Sequence, residues 1–254
     1  IDIGADDYIK KPFEQEILDA RIWNCIEKKQ LRDKEKDLLA ELKKEREKSD
    51  NLLFNIIPQD IADRLKLGET NVSNKHNDIT IIFADIVRFT PQAKLMEPED
   101  IVSTLNKIFT EFDILAQRFG LEKIKTIGDS YFAVSGLNGE KIKSAINTVF
   151  FAIEILKTIQ IINKSNDLMD LDLRVGIHSG SAVSGVIGKK KFAFDIWGSA
   201  INFANRLETT SPKGKIHISE ETRKLIEKEK RLHIKPLKKI DIKGIGEVQT
   251  FIVS

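Results

Sequence analysis

From Asn77 to Ile86 the chain reads NDITIIFADI, a nearly unbroken apolar run that predicts a strand buried on both faces. Apolar residues then recur at helical spacing over 98–119 and alternate over 121–134 on either side of Gly128-Asp129, the pattern of a hairpin. A second long helix is expected over 139–163, then a strand at LDLRVGIHSG and short strands at SAVSGVIG and FAFDIWG. Ile201, Ala204 and Leu207 mark a helix over 199–209. KIHIS, a helix near 219–229 and two closing strands complete a body that runs from about residue 77 to 254. Strand, helix, hairpin, helix, strand is the split βαβ order, so the fold class is α+β and ferredoxin-like.

Ahead of this body the pattern changes. Residues 27–57 are almost continuously charged, with no Gly or Pro before Pro58 and opposite charges at i,i+4 spacing, which supports a solvated helix. Leu31, Leu38 and Leu52 share one heptad position and Leu42 and Ile56 another, while Glu35, Glu45 and Ser49 interrupt the seam. Such a stretch is either a short two-stranded coiled coil or a single linker helix. A further helix after Pro58 ends near Gly68, so residues 27–76 form a helical linker. Residues 1–26 carry GADDYIKKPF followed by an amphipathic stretch with Ile17, Leu18, Ile22 and Ile26. This segment resembles the end of a response-regulator receiver domain. In that family the lysine before the proline, here Lys11, pairs with the phosphorylated aspartate and the peptide bond that follows it is cis. The phosphoacceptor would lie upstream of Ile1, so the chain is expected to be a fragment.

Composition narrows the classes. Of the 254 residues 41% are hydrophobic and 31% charged, ordinary for a globular protein. A net charge of +2 gives no electrostatic case for nucleic acid or an anionic membrane. No apolar run is expected to approach the roughly 20 residues that span a bilayer. One cysteine, Cys25, excludes an internal disulfide and fits a reducing compartment, so the cytoplasm is the expected location.

Two aspartates stand at strand ends, Asp85 after TIIFA and Asp129 at the hairpin tip. Paired carboxylates without a neighbouring His or Cys cluster suit Mg²⁺ or Mn²⁺ bridged to substrate phosphates, and disfavour zinc. By spacing alone, an aspartate that caps a turn fits as well. Lys125, a cation set in a half-buried strand, is the other anomaly; a snorkelling lysine is its bland explanation.

FADIVRFT, KIKTIGDSYFAVSGL, LRVGIHSGSAVSGVIG, FDIWGSAINFANRLE and DIKGIGEVQTF follow in this order over nearly all of residues 77–254. Together they resemble the catalytic domain of class III nucleotidyl cyclases. The resemblance implies that Asp85, Asp129 and the carbonyl of Ile86 hold two Mg²⁺ or Mn²⁺ ions, and that Lys125 and Asp195 read the purine. It also implies that Asn202 orients the ribose, Arg206 neutralises the α-phosphate, and Arg174 and Lys243 bind the triphosphate of ATP. Guanylyl members usually carry Glu and a small residue such as Cys where this chain has Lys125 and Asp195, so the adenylyl type is implied. A guanylyl cyclase of the same fold and a non-catalytic nucleotide-sensing dimerisation module are the rival readings. Both halves of the family's composite site occur in this chain, which implies a homodimer with the sites at its interface. Arg88 stands where many members have Gly. His178 has no second His or Cys near it in sequence and is expected to be structural.

Overall fold

The computed structural model describes residues 8, 11–12, 14–87, 89, 93, 96–137, 139–165, 171–188, 190–242 and 246–254. They divide into two compact units, Ile1–Leu67 and Gly68–Ser254. In the first, α1 (Gln15–Phe54) is a 40-residue helix with no buried residue. It runs unbroken past residue 26 because nothing from Gln15 to Ile57 is Gly or Pro. Its surface carries ion pairs at helical spacing, Lys48–Glu45 at 2.6 Å among them. The seam leucines Leu31, Leu38, Leu42 and Leu52 are all exposed. Pro58 caps α2 (Gln59–Lys66), whose Lys66 reaches back to Asp50 at 2.6 Å. The Lys11–Pro12 peptide is cis.

The second unit is built on one sheet. Its elements are β1 (Ser73–Val87), α3 (Pro98–Phe119), β2 (Glu122–Ile127), β3 (Ser130–Ser135), α4 (Lys141–Ser165), β4 (Asp172–Ile187) and β5 (Ala193–Trp197). Then come α5 (Ser199–Thr210), β6 (Lys215–Ser219), α6 (Glu220–Ile226), β7 (Ile234–Ile242) and β8 (Gly246–Val253). The strands lie in the order β2-β3-β1-β4-β6-β8-β7, with β5 paired to β4 off this path. β4 and β6 are parallel; the other pairs are antiparallel. LDLRVGIHSG and SAVSGVIG, expected as two strands, are one 16-residue strand, β4. The 15-residue β1 runs alongside and carries the ladder across the junction through a register shift, with His76 opposite Ala182 and Ile79 opposite Gly180.

Burial on both faces of β1 follows its alternation. Ile82, Ala84 and Ile86 join the core beneath α3 and α4, while Ile79, Ile81 and Phe83 join a second core with Ala200 and Ala204 of α5. Phe83 and Phe132 stack at 4.5 Å in the second core. The expectation about apolar runs needs correcting: Lys141–Lys164 is long and apolar enough to cross a membrane by length and composition. Here that helix serves the core, with Ala145, Val149, Ala152, Ile155 and Ile159 packed on the sheet. On the other face α5 lies directly on β4. A Cβ at Gly176 would collide with the backbone nitrogen of Glu208, so glycine is what lets helix and strand meet there.

Candidate active site

Two clusters of polar side chains form in the second unit. The first gathers at the ends of β1, β3 and β4. Asp85 sits opposite Ser130 on one neighbour strand and Arg174 on the other, so β1 places it between the hairpin and β4. Gly128, at φ +63°, lets a two-residue turn close the hairpin and put Asp129 beside it. The Ile86 N–H donates to the Asp129 carbonyl at 3.3 Å and pins the turn to β1. Arg174 Nη2 donates to Asp85 Oδ2 at 2.6 Å.

Asp129 binds its proton more tightly than a free carboxyl, first because it is partly buried and further because Asp85 is negative; its own backbone hydrogen bond and Arg174 oppose this. Two mutually repelling carboxylates beside a buried Ile86, with no cluster of three or more His, Cys, Asp or Glu among the described residues, fit a hard dication shared with phosphate oxygens. Asp85, Asp129 and the Ile86 carbonyl are the groups suited to hold it.

The second cluster lies on the face that β2 turns toward β5. Lys125 forms an ion pair with Asp195, whose other oxygen accepts from the Ile196 N–H at 2.9 Å. Asn202 and Arg206 are exposed on α5, one turn apart, and no hydrogen bond or ion pair joins either to the two clusters among the described residues. Lys243 and Arg88 lie outside the described residues. His178 is buried, with Nδ1 2.9 Å from Ser219 Oγ and its ring 4.2 Å from that of Phe203, as a structural histidine would be. Burial pushes its pKa down to about 4, with Glu221 opposing.

Glu208 escaped sequence reasoning. It follows Arg206 by two positions in NRLE, which by itself signals nothing; packing of α5 on Gly176 is what buries it against Arg174. Its Oε1 is 3.4 Å from Arg174 Nε, within ion-pair range, yet neither atom makes a hydrogen bond among the described residues. Burial first, then the charge of Asp85, pushes its pKa up to about 7, against the pull of Arg174. The folded state therefore holds a proton here that the unfolded state releases near the ordinary value of 4.5, and stability falls as pH rises from about 4.5 to 7. His178 acts in the opposite sense, lowering stability as pH falls from 6.5 toward 4. Glu208→Gln is expected to gain stability relative to wild type between pH 5 and pH 8, by on the order of 1–2 kcal/mol in thermal or urea unfolding. An unchanged difference across that range would show Glu208 to be ionised throughout.

Residues 71–254 match the family model described as "Adenylate and Guanylate cyclase catalytic domain". A membrane guanylyl cyclase of Dictyostelium discoideum is 37% identical over 182 residues, 71% of this chain and 12% of that protein. An adenylate cyclase of Mycobacterium bovis is 34% identical over 218 residues, 84% of this chain and 47% of that protein. The chain thus spans between about a tenth and a half of the length of these curated relatives. The solved adenylyl cyclase CyaB of P. aeruginosa superimposes with a TM-score of 0.67 at 27% identity, covering 72% of this chain and 96% of that one.

Proposed function

Because the chain belongs to the adenylate and guanylate cyclase catalytic-domain family, we propose that it is an adenylyl cyclase that converts ATP to 3′,5′-cyclic AMP and pyrophosphate. The observation that carries the choice of purine is the Lys125–Asp195 pair. A carboxylate only accepts and an ammonium only donates. Asp195 can take the N6 amino group of adenine while Lys125 donates to N1; guanine reverses both groups and meets repulsion at each. Asn202 orients the ribose, and Arg206 neutralises the charge that develops on the α-phosphate as the 3′-oxygen attacks in line. Arg174 and Lys243 bind the triphosphate, the first as a planar fork and the second as a point charge. Mg²⁺ or Mn²⁺ held by Asp85, Asp129 and the Ile86 carbonyl would supply Lewis-acid activation of the 3′-hydroxyl and charge neutralisation at the departing pyrophosphate. The strand order β2-β3-β1-β4, set by β1, α3, the hairpin, α4 and β4 in sequence, is what we assign to the ferredoxin-like half of the fold.

The active sites belong, in this reading, to a homodimer. One protomer offers Asp85 and Asp129, and the other Lys125, Asp195, Asn202 and Arg206. Supporting it, the β4–β5 hairpin exposes Val183, Ile187, Phe192 and Trp197, an apolar group suited to a second copy of this chain. The exposed leucines of α1 suit a two-stranded coiled coil that sets the pairing. Residues 1–26 are assigned to the end of a receiver domain whose phosphorylation changes this helix pair, and the whole to the cytoplasm.

The purified chain, given ATP or GTP with Mg²⁺ or Mn²⁺, is expected to form cyclic AMP from ATP, with specific activity rising with protein concentration. Cyclic GMP as the main product would overturn the purine assignment in favour of a guanylyl cyclase, and activity independent of concentration would overturn the reversible composite dimer.

A further inference from the structure

β2 carries two lysines two positions apart, and unbroken alternation would set Lys123 and Lys125 on one face of the sheet. They face opposite sides. Lys123 is opposite Ala133, a member of the core beneath α3, and its Nζ lies 2.7 Å from Asp113 Oδ2 on α3. Lys125 is opposite Phe132, a member of the other core, and pairs with Asp195 on β5. The register shifts between the two lysines and leaves Ile124 without a partner residue. This is a one-residue bulge, in which Ile124 and Lys125 together oppose Phe132. Ile124 packs against the core that contains Phe132 and Ile196.

The group that grips this bulge is on α3. Asp113 accepts from Lys123 through Oδ2 and, through Oδ1 at 2.8 Å, from the hydroxyl of Tyr131 on β3. Tyr131 is fully buried, so its hydroxyl needs that acceptor. One carboxylate therefore holds both strands of the hairpin and straddles the bulge, gripping Lys123 on its base side and Tyr131, opposite Thr126, on its tip side. The tip is also held by the turn, with Ile127 opposite Ser130 and Thr126 opposite Tyr131. Were the tip register to continue without a bulge, Ile124 would oppose Ala133 and Lys123 would oppose Val134. Lys123 would then share a face with Lys125, a second ammonium on the side that meets Asp195, and Ile124 would leave its core.

We propose that Asp113 is a positioning residue for purine selection: through Lys123 and Tyr131 it holds the bulge at Ile124, which leaves Lys125 as the one lysine of β2 on the face toward Asp195. The proposal rests on the assignment of Lys125 and Asp195 as the purine-reading pair. Asp113 lies on the α3 side of the sheet, opposite the face that carries Lys125 and Asp195, so its loss acts on KM and on the choice of purine more than on kcat.

The test compares kcat and KM for ATP and GTP in wild type, Asp113→Ala, Asp113→Asn, Tyr131→Phe and Lys125→Met. Asp113→Ala is expected to raise KM for ATP about tenfold and to lower the ATP-to-GTP ratio of kcat/KM by a similar factor, with kcat within about threefold. Asp113→Asn and Tyr131→Phe, each of which removes one part of the grip, move both quantities the same way by less, and serve if the alanine variant folds poorly. Adding Lys123→Met to Asp113→Ala is expected to restore the ratio, because the displaced side chain no longer carries a charge. Lower melting temperatures with unchanged KM and unchanged purine ratio would overturn the proposal and leave Asp113 a stabilising residue. If Lys125→Met itself leaves the ratio unchanged, the purine assignment is what fails. Cross-strand NOEs then decide the register role separately: Ile124 opposite Ala133 in Asp113→Ala upholds it, and Lys123 still opposite Ala133 overturns it.

Discussion

Replacing Lys125 by glutamate and Asp195 by cysteine together is expected to turn the enzyme from ATP to GTP. The two side chains meet each other across β2 and β5, and in the proposed assignment this single pair decides which hydrogen-bonding edge fits. With Glu at 125 the site accepts from N1–H of guanine, and Cys at 195 no longer repels its O6. Sites built on hydrogen bonds discriminate by factors up to about 10⁴, because a mismatched partner leaves polar groups desolvated and unpaired. ATP cyclisation is expected to fall by about 10³ and cyclic GMP to become the main product. The change will not act through unfolding. Lys125 is 42% exposed in its side chain and Asp195 20%, and such a pair is worth at most about 1 kcal/mol to the fold. Product analysis with equal ATP and GTP, beside a melting curve, reads both quantities. A double variant that still prefers ATP would remove these residues from purine selection.

Asp85→Asn is the second large effect. Asparagine keeps an oxygen that can accept from Arg174 but carries no charge, so the attraction for a dication and the ion pair to Arg174 are lost together. Activity with either Mg²⁺ or Mn²⁺ is expected to fall at least about 10³-fold, the scale of losing charge stabilisation in a transition state. Mn²⁺ binding in the presence of ATP, followed by electron paramagnetic resonance, is expected to weaken in parallel. The fold is expected to tolerate the change, since Arg174 remains 35% exposed and can turn to water or to Glu208. Retention of activity within tenfold would take Asp85 out of the metal site.

The two variants probe parts of the site that were legible to different degrees. Asp85, Asp129 and Lys125 could be picked from the chain because each is a polar group set against an apolar pattern, whereas Asp195 came only with the family resemblance of FDIWG. α3 was legible to its ends, since Pro98 opens it and Gly120, at φ +71°, closes it. The length of β4 was not, because Gly180 and Ser181 look like a break until the matching extension of β1 is seen beside them. Glu208 and Asp113 were missed for a related reason: each looks like an ordinary helix-surface acid, and each gains its partner only when a helix docks on the sheet.

Periodicity, caps and turn residues act over a few positions, so the order of elements and the stock of reactive groups were determined by the sequence alone. Partners far apart along the chain are brought together by strand register and helix docking. Asp85 and Arg174 are separated by 89 positions and Lys125 and Asp195 by 70. Which face of β2 each lysine occupies was likewise decided in three dimensions, since a bulge reverses an alternation that the sequence KIKT leaves unmarked. Only the packed sheet, with α3 on one face and α5 on the other, makes one register better than the next.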